Sequence, residues 1–109
     1  MQQQADGFSQ SKLQVAIDYI HAHLDEDLSI GTLAQLVQIS SYYFVRLFKQ
    51  SMGLTPHAYI VRQRLERAKQ LVKTTNLSIA EIAYRTGFCH QSRFATVFRQ
   101  YLRISPSAY

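Results

Sequence analysis

Two sets of side chains in this chain have the types and the spacing to touch a nucleic acid. Tyr42, Val45, Arg46 and Lys49 stand at i, i+3, i+4 and i+7, and Ser92, Ala95, Thr96 and Arg99 repeat that spacing further on. On a helix such positions share one face. The chemistry they offer is that of a groove reader. The guanidinium fork of Arg46 matches O6 and N7 of guanine, the carboxamide of Gln91 matches adenine, and Val45 or Ala95 can pack on a thymine methyl. Gln91 and Arg93 sit near the start of the second helix. Lys49 and Arg99, a turn later, suit phosphates. Ser40 and His90, at the two helix starts, are further candidate phosphate contacts. One face of this kind is also what any solvated helix shows. Two faces with the same inside and outside division favour groove reading.

Other chemistry finds little support. His21 and His23 are two residues apart, diverge on a helix and make a poor metal pair. No glycine-rich phosphate loop, nucleophile elbow or paired carboxylates appear, so neither an enzyme, a metal site nor a cofactor is expected. Cys89, the single cysteine, lies beside a turn and is expected as a partly buried bystander. Tyr42 and Tyr43 raise the possibility of stacking on single-stranded bases, but the regular helical spacing favours a duplex.

Charge points the same way. Residues 1–45 hold one lysine against five carboxylates, a net of −4. Residues 46–109 hold eleven Lys and Arg against two carboxylates, a net of +9. A basic field confined to one part of a chain suits an extended polyanion. No run approaches the roughly 20 apolar residues of a membrane span, and no membrane role is expected. One cysteine excludes an intrachain disulfide and makes a reducing cytoplasm the expected location.

The elements that must carry these faces are helices. No long alternating run suggests a strand. Residues 1–10 read as a disordered tail or linker remnant. A first helix is expected over about Lys12–Leu24, with Leu13, Ala16, Ile17, Ile20 and Leu24 as its apolar stripe. Ser29 offers an N-cap to a short helix ending near Val37. Ser40 caps a second that runs to about Met52, with Gly53 suited to the left-handed residue that ends it. Thr55-Pro56 starts a long helix to about Lys73, with Ala58, Val61, Leu65, Ala68 and Leu71 or Val72 inward. Ser78 and Glu81 form an S-x-x-E capping box ahead of another short helix. A further helix spans about His90–Leu102, and Ser105-Pro106 begins a last turn.

The two halves repeat. Leu28, Ser29, Ile30 and Ala34 match Leu77, Ser78, Ile79 and Ala83 at an offset of 49; Phe44, Phe48, Gln50, Pro56, Ala58 and Tyr59 match Phe94, Phe98, Gln100, Pro106, Ala108 and Tyr109 at 50. The second copy thus holds one extra residue between Ala83 and Phe94, where a turn absorbs it; inside a helix it would rotate the face by about 100°. Each copy reads as a helix-turn-helix unit. Phe44, Leu47, Phe48 and Ser51 are expected inward in one copy, and Phe94, Val97, Phe98 and Tyr101 in the other. The expected fold is all-α, about seven helices, with a first helix-turn-helix subdomain over 11–55, a linker helix over 56–73 and a second subdomain over 74–109.

The run "LSIAEIAYRTGF…SRFATVFRQYLRISPSAY" resembles the signature of the AraC/XylS family of transcription regulators. The matching residues are Ile82, Ala83, Gly87 and Phe88, then Ser92, Phe94, Phe98 and Arg99, then Ser105, Pro106 and Tyr109. The first copy carries the family's weaker form in Leu33, Ala34, Ser40, Phe44, Arg46, Phe48, Lys49, Gly53 and Tyr59. The resemblance covers about residues 12–109. It implies double-stranded DNA as partner, a bipartite non-palindromic site in successive major grooves, and activation through RNA polymerase. By position, Tyr42, Val45 and Arg46 match the family's first reading helix, and Gln91, Ser92, Arg93, Ala95 and Thr96 the second. Thr96 stands where the family often has arginine, Arg103 where it has glycine after the second reading helix, and Gln38 where it has the first turn's glycine. His90 stands where Ser40 caps in the first copy. The chain is expected to be a monomeric fragment of a longer regulator, dimeric through a further N-terminal domain. The competing reading is a helical protein-interaction module that binds through the acidic first helix without DNA.

Overall fold

The computed structural model describes residues 2–109, with side chains from Gln10 onward. Among the described residues there are six helices and no strand: α1 (Gln2–Ala22), α2 (Ile30–Leu36), α3 (Ser41–Met52), α4 (Pro56–Thr74), α5 (Ile79–Arg85) and α6 (Gln91–Leu102). The expected seventh element is only a turn over 106–108, in which the Tyr109 amide donates to the Ser105 carbonyl at 3.1 Å.

α1 departs from expectation at both ends. It begins at Gln2, so the stretch read as a disordered tail has helical backbone; glutamine and alanine are good helix formers, and although Asp6, Gly7, Phe8 and Ser9 are weaker ones, no proline interrupts them. It stops at Ala22, where the His23 amide tightens back onto the Ile20 carbonyl at 3.1 Å. Asp25, Glu26 and Asp27 follow, and carboxylates oppose the negative end of a helix dipole.

The chain divides into two compact units. The first takes the chain up to His23 together with Asp27–Ile60; the second takes Leu24–Glu26 with Val61–Tyr109, so the division falls inside α4. The first unit buries Leu13, Ala16 and Ile20 of α1, Leu33 and Ala34 of α2, and Phe44, Leu47 and Phe48 of α3. Phe48 meets the Phe44 ring at 5.8 Å and Tyr59 at 5.4 Å between centroids. In the second unit Val61, Leu65, Ala68, Ile82, Ala83, Phe88, Phe94 and Phe98 form one cluster, with Val97 partly buried against it. Phe98 lies between Phe94 at 5.5 Å and Tyr109 at 5.4 Å. Burying a phenylalanine contributes roughly 1.5–3 kcal/mol, so the four buried α3 and α6 phenylalanines fix which way these helices face.

Two inward assignments are corrected. Ser51 is exposed and Tyr101 is 46% exposed. Both lie in the last turn of their helix, beyond Phe48 and Phe98, the last buried residues of α3 and α6. No described helix is long and apolar enough to cross a membrane.

Candidate nucleic-acid interface

The repeat is a structural one. α2 and α5 are both seven residues long, and α3 and α6 are both twelve. The turns between them begin identically. The Gln38 amide donates to Gln35 and the Ile39 amide to Ala34; the Gly87 amide donates to Tyr84 and the Phe88 amide to Ala83. That pair of bonds is a Schellman closure, which places its first residue in the left-handed region. Gln38 has φ 62° and Gly87 φ 89°. After Ile39 the first copy goes straight to the N-cap Ser40, whereas the second inserts Cys89 before His90. Cys89 is therefore the extra residue, and it is exposed, not partly buried as expected: an insertion into a closed turn must bulge outward.

The caps differ as their residue types require. Ser40 Oγ accepts from the Tyr43 amide at 3.1 Å, Ser29 Oγ from Thr32 at 3.0 Å and Ser78 Oγ from Glu81 at 3.1 Å. His90 makes no side-chain cap bond. Only the serine half of the Ser78–Glu81 box matches expectation, because Glu81 Oε2 accepts from Arg85 Nε at 2.8 Å. At the far ends, Gly53 and Arg103 both take left-handed backbone, φ 82° and 63°, and donate to Lys49 and Arg99. Each copy thus has two left-handed positions and fills one of them with glycine.

These frames turn the candidate side chains to solvent. Tyr42, Arg46, Lys49 and Ser40 are exposed on the first copy, and His90, Gln91, Ser92, Arg93, Thr96 and Arg99 on the second. Val45 and Ala95 are half-buried at the margin, so only part of each apolar side chain is open to a base. Neither the Lys69–Glu66 nor the Arg85–Glu81 ion pair involves a candidate cation. Arg46 instead lies over the Tyr42 ring, 5.8 Å from its centroid. On α6 the short side chains of Ser92 and Thr96, with His90, Arg93, Val97 and Gln100, line a shallow hollow. Spacing gave the exposed face but neither of these features, which depend on rotamers.

Sequence reasoning also missed a support of the second turn. Arg64, half-buried on α4, donates from Nε to the Leu24 carbonyl at 2.9 Å and from Nη2 to the Glu26 carbonyl at 2.7 Å. Thr86 is fully buried and donates its hydroxyl to the Ile82 carbonyl at 2.7 Å. Two of the four histidines have structural partners: His21 Nε2 lies 2.7 Å from the Tyr59 hydroxyl, and His23 Nδ1 donates to the Tyr19 carbonyl at 2.8 Å. No group of three or more metal-ligating side chains occurs among the described residues.

Comparison with known proteins gives concordant matches. A family model described as a helix-turn-helix domain matches residues 33–109. Regulatory protein PocR of Salmonella typhimurium is 42% identical over 99 residues, which are 91% of this chain and 33% of that protein. The crystal structure of the DNA-binding domain of AdpA in complex with a target DNA superposes with a TM-score of 0.86 at 32% identity, covering 89% of this chain and 87% of that one. A transcriptional regulator from Chromobacterium violaceum with an AraC-type DNA-binding domain gives 0.84 at 36% identity, covering 92% and 89%. This chain spans about a third of the length of curated relatives it matches.

Proposed function

The chain belongs to the AraC/XylS-type helix-turn-helix family of transcription regulators, and on that premise we propose that it binds double-stranded DNA sequence-specifically, with α3 and α6 as its two reading helices. The observation that carries this is the paired frame. Two helices of equal length, each anchored by two buried phenylalanines four residues apart, present exposed cations that take no part in the Lys69–Glu66 or Arg85–Glu81 ion pair. Val45 and Arg46 read bases from α3, where Tyr42 stands beside them on the same exposed face, and Gln91, Ser92, Arg93, Ala95 and Thr96 read bases from α6. Ser40, Lys49, His90 and Arg99 hold phosphates. Because the two faces differ at nearly every position, the site is bipartite and non-palindromic, with its halves in successive major grooves roughly 34 Å apart. The resemblance further supports activation through contact with RNA polymerase, a cytoplasmic location, and dimerisation through a separate N-terminal domain.

Selection of duplexes from a randomised pool, followed by a salt titration of the winner, tests the reading. A preferred site in two unlike halves is expected, with log K falling linearly against log salt by about 0.9 for each phosphate neutralised. No duplex affinity at low salt would overturn it.

A further inference from the structure

Tyr42 and Arg46 are one helical turn apart on the exposed face of α3, with the guanidinium 5.8 Å from the ring centroid. We propose that Tyr42 is a positioning residue that acts through Arg46, holding its guanidinium aimed for a guanine, and does not itself read a base. This rests on α3 being a groove-reading helix. An arginine that reads guanine must present two N–H groups in one plane. Free in water, its side chain samples many rotamers, and fixing them on binding opposes affinity. An aromatic face one turn back restrains the planar cation at small cost to the fold. Tyr42 is suited to such a restraint because it is 72% exposed, so its ring contributes little to the core. Arg46 takes no part in the Lys69–Glu66 or Arg85–Glu81 ion pair and is exposed, so its fork is open to a base. The repeat supplies an internal contrast. The equivalent positions on α6 are Ser92 and Thr96, which carry neither ring nor cation, so the restraint is a property of the first reading helix alone.

The test uses duplexes carrying the selected site and each single base-pair substitution of it, with wild type, Tyr42→Phe, Tyr42→Ala, Arg46→Ala and the Tyr42→Ala/Arg46→Ala double variant. Arg46→Ala is expected to reduce preference at one base pair by roughly 5- to 150-fold. Tyr42→Ala reduces preference at that same base pair by about two- to fivefold, Tyr42→Phe retains it, and the double variant shows no reduction beyond Arg46→Ala. Unchanged melting temperatures for the Tyr42 variants are expected from the exposed position. The proposal is overturned if Tyr42→Ala alters preference at a different base pair, which would make Tyr42 a reader, or if the two effects multiply. A wild-type chain with no preference at any base pair would instead overturn groove reading itself.

Discussion

The Arg64 guanidinium packs onto Gly87 so closely that a Cβ added there would lie 2.5 Å from Nε, and closer still to the Leu24 carbonyl oxygen that Nε serves. The turn ahead of α6 is thus held by a backbone position with no room for a side chain and by an arginine that ties the Leu24–Glu26 segment to α4. Gly53, also left-handed, meets nothing within 4 Å of its virtual Cβ.

Gly87→Ala and Gly53→Ala therefore separate two costs of replacing a glycine. Both force an alanine into left-handed backbone, which costs roughly 1–2 kcal/mol. Only Gly87→Ala also displaces a half-buried arginine from its carbonyl partners, which adds roughly 1–3 kcal/mol. Urea denaturation is expected to show losses of about 1 kcal/mol for Gly53→Ala and about 3 kcal/mol for Gly87→Ala. Equal losses would mean that Arg64 and the Leu24 backbone both move aside freely.

The reciprocal change tests the two left-handed positions that lack glycine. Gln38 and Arg103 carry side chains at φ 62° and 63°. Replacing either with glycine relieves that strain while giving the unfolded chain more freedom. A net gain of a few tenths to about 1 kcal/mol is expected for each, and the two should add, since they lie in separate units. Loss of stability in Gln38→Gly would show that the glutamine side chain contributes more than its backbone strain costs.

Much of this was legible because the repeat states it twice. Serine caps, glycine stops and paired phenylalanines are local signals, and the helix boundaries from Ile30 onward follow them within a residue or two. The departures are of another kind. α1 starts early because nothing before Lys12 forbids a helix. Tyr101 and Ser51 are exposed because periodicity assigns a face but not where the core ends along it. The roles of Arg64 and Gly87 arise from a contact between residues over twenty positions apart, which no local pattern encodes. Within the candidate interface, spacing identifies the exposed positions, while the Tyr42–Arg46 pair and the hollow around Thr96 depend on how side chains lie across one another.

Helix capping makes the third prediction. Ser40→Ala removes the bond to the Tyr43 amide and is expected to cost about 1 kcal/mol. His90→Ser supplies a cap that α6 lacks and should stabilise by up to about 1 kcal/mol. If His90 contacts a phosphate as proposed, the same variant should bind every duplex more weakly despite its firmer fold. Tighter binding that tracks the gain in stability would remove His90 from the interface.

Tyr59 adds a pH dependence. Burial disfavours its phenolate and raises its pKa above the usual 10.0. The folded state therefore keeps the proton longer than the unfolded chain does. The contribution is complete below pH 10 and is lost as pH rises through the higher folded-state value. Tyr59→Phe has no such proton and also lacks the hydroxyl beside His21. Its stability deficit relative to wild type should be largest near neutrality and shrink above pH 10. A constant gap across that range would contradict the assignment.

The cations of the two reading helices should divide by function. In the proposed assignment Arg46 meets a base edge from α3, and Lys49 and Arg99, a turn further on, meet the phosphate backbone. Arg46→Ala is expected to cost about 1–3 kcal/mol on the preferred duplex and to relax preference at one base pair. Lys49→Ala and Arg99→Ala should weaken all duplexes alike and make the slope of log K against log salt shallower by about 0.9 each, one phosphate's counterion release. The two kinds of loss are separable because a base contact is sensitive to sequence and only weakly to salt, whereas a phosphate contact is the reverse. Equal weakening of every duplex by Arg46→Ala, with a shallower salt slope, would place Arg46 on the backbone and leave α3 without its strongest reader.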